Sequence, residues 1–205
     1  FLGLIGAIST LAFSPFDIKP VIFVTLSVLI YSVISAKDFT QALKRSLSWG
    51  TGYWIAGTGW LIVSIYYYGN VSFGGSVSLF LILSIVCIIF FFLPILLLKR
   101  VIINKSNNLL LLVPFVLILV ELGRYYFLGG FPWLLPGYIF LDTPYEILYG
   151  LIGVSGLSLL LYFFVTANVA LYSNKTFLLV FNSFLLISFL IPNIFENNIS
   201  DELFF

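Results

Sequence analysis

Histidine and methionine are absent from this 205-residue chain, cysteine occurs once, and only 8% of residues are charged. Without histidine there is no imidazole base and no histidine-containing metal site. The one thiol, Cys87, cannot form an internal disulfide. It lies in the run LILSIVCIIFFF, where apolar surroundings favour a packing role over reactivity. The net charge is +1, and no basic run or interleaved aromatic patch accompanies it, which sets nucleic acid aside. No motif calls for a cofactor or a metal ion.

What the chain has in quantity is hydrocarbon. It is 61% hydrophobic with a mean hydropathy of +1.17, the composition of a membrane protein rather than of a soluble domain. The expected fold class is all-α and polytopic. Spans are expected at about residues 1–13, 20–36, 47–68, 76–98, 108–127, 147–171 and 177–191, forming one membrane domain over 1–193. Ser14-Pro15-Phe16-Asp17 breaks the first run from the second, and Lys37 to Arg45 reads as a polar connector. In the third span Gly50, Gly52, Ala56, Gly57 and Gly59 offer small surfaces on which helices approach closely. Tyr66 to Gly75 reads as an interfacial loop, and Gly150, Gly153 and Gly156 fall on the early turns of the sixth span.

Basic residues orient the bundle. Lys37, Lys44 and Arg45, then Lys99, Arg100 and Lys105, then Lys175 fall in alternate connectors, so those connectors are expected to be cytoplasmic. The N-terminus then lies inside, and the Gly129 to Tyr145 loop and the tail outside. Lys19 alone breaks the pattern. The chain opens on Phe1 within an apolar run and stops at Phe205 soon after a polar segment begins, which reads as a fragment cut at both ends.

One stretch organises the rest: ELGRYYFLGGFPWLLPGY, from Glu121 to Tyr138. Glu121 and Arg124 are three residues apart, so on a helix they share a face and can pair there. Counted from Asn108 at about 1.5 Å per residue, Glu121 lies roughly 20 Å along its helix, inside a hydrocarbon core about 30 Å thick. An ionisable residue at that depth costs on the order of 2.5 to 3.5 kcal/mol, so it normally faces a partner or a wet cavity. The pair is therefore either a site or a mutually neutralising contact that fixes helix packing. Gly129 and Gly130 then let the backbone turn, and Pro132 ends the helix. Phe131-Pro132-Trp133 forms a rigid aromatic loop. Trp133 and Tyr138 suit a headgroup-level belt as well as a ligand contact.

Four segments together carry a resemblance: LAFSPFDIKP, GYWIAGTGWLIVSIYYYGN, ELGRYYFLGGFPWLLPGY and LIGVSGLSLLLYFFVTANVAL. In order and spacing the chain resembles the membrane domain of apolipoprotein N-acyltransferase, the bacterial enzyme that adds the third acyl chain to lipoproteins. That resemblance implies eight membrane helices in the bacterial cytoplasmic (inner) membrane, with a periplasmic nitrilase-like domain inserted between the seventh and eighth. A Glu-Lys-Cys triad in that domain takes an acyl chain from phosphatidylethanolamine as a thioester and passes it to the α-amine of a diacylglyceryl-cysteine. The implied partners are thus a membrane phospholipid donor, a diacylglyceryl apolipoprotein acceptor and the nitrilase-like domain in cis. Residues 194–205 would begin the segment leading into that domain. Because Cys87 lies in the fourth span, no catalytic residue carries over. Glu121, Arg124, Phe131, Pro132, Trp133 and Tyr138 are the expected substrate-binding residues. Two other readings fit the same residues: a small transporter, since Gly/Pro-interrupted helices with intramembrane ions occur there, and a non-enzymatic membrane scaffold.

Overall fold

The computed structural model describes residues 1–102 and 112–171 together with Leu179, Asn182, Ser183 and Ile187, and the side chains of residues 91–102 fall outside that description. Lys105, Lys175, the span expected at 177–191 as a whole, and residues 194–205 also lie outside the described residues.

Among the described residues the structure is helical and contains no strand. Helix α1 (Leu2–Ser9) tightens into a 3-10 turn at Thr10–Ala12 and ends before Ser14-Pro15, as the first break in the sequence anticipates. The reversal is closed by Phe16 and Asp17 N–H groups donating to the Phe13 carbonyl, with Asp17 at φ 52°. Helix α2 (Pro20–Ile34) starts on proline at its first position, where the missing N–H costs nothing.

The connector expected over Lys37 to Arg45 is much shorter than that. Asp38 caps helix α3 (Phe39–Thr58), its carboxylate accepting from Gln41 N–H at 2.7 Å, while Gln41 Oε1 accepts from Lys37 N–H at 2.8 Å. This reciprocal arrangement satisfies donors that would otherwise be orphaned, so Lys44 and Arg45 become helical. Arg45 reaches back to the end of α2, its Nη1 donating to the Ser32 carbonyl at 2.7 Å and to Ser35 Oγ at 3.2 Å. A cation there meets the negative end of the helix dipole.

The single span expected at 47–68 is divided. After α3 the chain passes through Gly59 and Trp60 into helix α4 (Leu61–Tyr68). Ile62 and Val63 N–H groups bond three residues back, to the Gly59 and Trp60 carbonyls, so the ladder tightens locally. Helix α5 (Phe73–Ile102) begins earlier and runs further than 76–98, carrying Lys99 and Arg100 on its last turns. Helix α6 (Leu112–Phe127) holds the described part of the fifth span, and helix α7 (Tyr149–Ala170) the sixth, with a break at Gly153 (φ 67°, ψ −179°). Residues 73–90 and 146–170 are long and apolar enough to cross a membrane; α2 and the α1 region are apolar but shorter.

In a chain this apolar, cohesion depends on close contact more than on withdrawal from water. The α1–α3 seam shows it. A Cβ at Gly6 would stand 1.9 Å from the Trp49 carbonyl oxygen, and one at Gly52 would stand 1.8 Å from that of Gly3. Helix α3 also packs on α5 and α2, α2 on α7, and α6 between α5 and α7. The interior is filled by Trp49, Tyr53 and Trp54 from α3, Ile22, Phe23 and Leu26 from α2, Val113 and Leu117 from α6, and Leu157, Leu161 and Tyr162 from α7.

Candidate functional site

Apolar residues of α6 recur at helical spacing, and the buried face runs through Val113, Leu117, Val120, Glu121 and Arg124. The two ionisable residues thus share one face, and both are buried, at 4% and 5% exposure. They do not form the direct ion pair that their spacing permits. Glu121 Oε2 accepts from Tyr162 OH on α7 at 3.2 Å. The Arg124 guanidinium instead lies over the Trp54 ring, 4.9 Å from its centroid, and 5.8 Å from that of Phe131. Ring faces stabilise a desolvated cation, so the aromatic cluster takes the position a carboxylate would have held. Arg124 also stands on the last turn of α6, where a cation is favoured.

The helix ends as the two glycines require. Leu128 N–H donates to the Arg124 carbonyl at 2.9 Å and Gly130 N–H to the Tyr125 carbonyl at 2.7 Å, with Gly129 and Gly130 at φ 65° and 90°. Phe131 turns inward beside Trp54 at 6.1 Å, whereas Pro132, Trp133 and Tyr138 remain exposed. Trp133 is held edge-on between Phe131 at 4.7 Å and Trp60 at 5.2 Å. The six residues singled out in the sequence therefore divide. Three build a buried brace, and three face outward above it.

The remainder of the loop folds into a 3-10 helix over Pro136–Phe140 and is fastened through its backbone. Tyr53 OH donates to the Leu134 carbonyl at 3.0 Å, and Tyr149 OH donates to the Gly137 carbonyl at 2.7 Å. Gly137 N–H donates to Ser158 Oγ at 2.8 Å. That approach needs glycine, since a Cβ at residue 137 would fall 2.1 Å from the Val154 carbonyl oxygen. Lys19 Nζ donates to the Leu141 carbonyl, which gives the lysine that breaks the charge pattern a structural partner. None of Tyr53, Trp54, Tyr149, Ser158, Tyr162 and Lys19 stood out as a site residue in the sequence. Their one shared signal is a polar or amphipathic side chain within an apolar run.

Under the loop, α2, α3, α5, α6 and α7 enclose a cavity of about 30 Å³, whose walls include Tyr53, Trp54, Cys87, Glu121, Arg124 and Tyr162. Cys87 is fully buried there, in the packing role its apolar run implies.

The architecture defines a class first: a helical bundle in which one buried carboxylate and one buried guanidinium underlie an aromatic loop. The sequence then places the bundle. Residues 5–167 match the apolipoprotein N-acyltransferase N-terminal domain, and the chain belongs to the apolipoprotein N-acyltransferase family. It is 32% identical over 168 residues to the apolipoprotein N-acyltransferase of Haemophilus influenzae, covering 82% of this chain and 31% of that one. Its identity to that of Pseudomonas syringae pv. tomato is 34% over 157 residues, covering 76% and 30%, and to that of Haemophilus ducreyi 31% over 176 residues, covering 84% and 33%. The chain spans about a third of the length of these relatives.

Proposed function

We propose that this chain is the membrane part of an enzyme that moves a fatty acyl chain from a phospholipid to the N-terminal diacylglyceryl-cysteine of a bacterial apolipoprotein. In this reading it crosses the inner membrane seven times, with the N-terminus cytoplasmic and residues 194–205 periplasmic, leading into a nitrilase-like domain. The covalent chemistry resides in that domain: a thiolate attacks the donor ester, the lysophospholipid leaves, and the acceptor amine then displaces the thiol to form an amide. The described residues hold the lipids beside that chemistry.

The observation that carries the reading is the division of the loop into a buried brace and an exposed rim. Arg124, set against Trp54 and Phe131, fixes where the loop leaves α6. Pro132, Trp133 and Tyr138 are thereby presented outward as a rigid, largely apolar edge with two amphipathic rings. Such rings suit the level at which acyl chains meet the glycerol region of a lipid. Both substrates are lipids reacting at that level, so a fixed edge there positions their chains without contributing to bond making. Glu121 and Arg124 act as the support of this edge.

The test is to replace Trp133 by Ala and Arg124 by Leu, separately, in the complete polypeptide, and to measure lipoprotein N-acylation at equal expression. A loss of tenfold or more is expected for each. Unchanged acylation in both variants sinks the assignment.

A further inference from the structure

Among the described residues, the non-glycine positions with positive φ are Asp17, Asn70, Leu134 and Asp142. Three of them are Asp or Asn, whose short polar side chains make left-handed backbone tolerable. Leu134, at φ 56°, is the exception, because a bulky apolar side chain is strained there. Such strain persists only where the surroundings over-determine the conformation, and it gathers at functional sites.

Leu134 is fixed at two points. Its carbonyl accepts from Tyr53 OH at 3.0 Å, and Tyr53 is itself buried with its ring stacked on Trp49 at 4.9 Å, so the donor is held in place. Its side chain covers the bare face of Gly57 on α3. A Cβ at residue 57 would stand 2.5 and 2.9 Å from Cδ1 and Cδ2 of Leu134, and 3.1 Å from the Thr10 methyl just past α1. Gly57 and Thr10 thus form a slot that the leucine fills.

The strained residue also stands where the loop changes character. Pro132 and Trp133 before it are exposed, while Leu135, Pro136 and Gly137 after it are buried. Rotation about the N–Cα bond of residue 134 swings everything before it relative to everything after it, so the direction of Trp133 depends on this one angle.

We propose that Leu134 is the positioning residue of the exposed edge: seated in the slot at Gly57 and Thr10, its side chain holds the left-handed turn and thereby fixes where Trp133 points. The inference rests on the reading of that edge as lipid-facing, and it adds a lock placed on α3 and α1, away from the lipid.

The test uses the complete polypeptide in lipid nanodiscs, labelled with 5-fluorotryptophan, with the Trp133 fluorine signal assigned by its loss in Trp133→Phe. Leu134→Gly is the decisive variant, because glycine reaches left-handed backbone without strain and any change comes from the missing side chain. Its Trp133 signal should move and broaden. Gly57→Val fills the slot from the other side and should do the same, which keeps the inference testable if Leu134→Gly fails to fold. Leu134→Met, whose unbranched chain can re-enter the slot, should keep the parent signal. A parent-like signal in Leu134→Gly, or equal displacement in Leu134→Gly and Leu134→Met, overturns the proposal whatever the activity. N-acylation at subsaturating donor phospholipid should fall by about tenfold or more in Leu134→Gly. A displaced signal with unchanged N-acylation would instead remove the lipid-facing reading and leave the placement of Trp133 by Leu134 standing.

Discussion

Arg124 on α6 sets its guanidinium 4.9 Å from the centroid of the Trp54 ring on α3, so the charge that ends one helix is held by the face of another. The contact is buried on both sides. A desolvated cation–π contact contributes about 2 kcal/mol, and lysine cannot reproduce the flat stacking of a guanidinium. Arg124→Lys should therefore destabilise despite keeping the charge. A double-mutant cycle of Arg124→Met with Trp54→Leu, read by thermal unfolding in nanodiscs, should give a coupling energy of about 1 to 2 kcal/mol. Additive effects would show that the two residues act separately.

The α1–α3 seam predicts a contrast between glycines. Gly6→Ala or Gly52→Ala places a methyl group inside a backbone carbonyl, so α1 must move off α3, at about 1 to 3 kcal/mol or more. Gly123 inside α6 has nothing within 4 Å of a built Cβ, and alanine there should stabilise by about 0.5 to 1 kcal/mol through helix propensity. Melting temperatures of the three variants should fall, fall and rise. Equal behaviour would mean that the seam is looser than its geometry shows.

Ser158 accepts the buried Gly137 N–H, and removing the acceptor leaves that donor unsatisfied. Ser158→Ala should cost about 1 to 3 kcal/mol. The cost should be local. Hydrogen exchange is expected to speed up at residues 135–141 while α2 and α3 keep their protection, and uniform protection throughout would refute the assigned role.

Lys19 ties the first reversal to the far end of the loop through the Leu141 carbonyl. Lys19→Met keeps much of the side-chain bulk and removes the donor, so exchange should rise at Asp142 to Glu146 with little change in global melting. A variant indistinguishable from the natural protein would mean that the lysine is free in solution.

How much of this could be read from the sequence depended on whether a feature is local. The break at Ser14-Pro15, the start of α2 on Pro20 and the turn at Gly129-Gly130 follow from single-residue backbone chemistry, and each lies where expected. The Asp38-x-x-Gln41 capping signature was equally present, but charge in Lys37 to Arg45 obscured it, and a connector was expected where a helix begins. The division at Gly59-Trp60 carries no proline, and both residues keep right-handed helical angles, so nothing local announces it. The shared face of Glu121 and Arg124 was legible from their spacing. Their partners were not, because Trp54 lies 70 positions from Arg124 and Tyr162 lies 41 positions from Glu121 in the chain, on α3 and α7.

The loop between α6 and α7 is secured by Tyr53, Tyr149, Ser158 and Lys19, and every one of these bonds ends on a main-chain carbonyl or N–H. Of its outward side chains, Trp133 adds a ring contact with Trp60, and none contributes to these bonds. Pro132 and Tyr138 can therefore be exchanged without breaking any of these bonds, so the chemistry of the edge can vary while the course of the backbone beneath it is inherited unchanged. Mutational tolerance and precise placement, often in opposition, here fall to different residues of one loop, the anchors at Leu134, Gly137 and Leu141 and the outward side chains at Pro132, Trp133 and Tyr138.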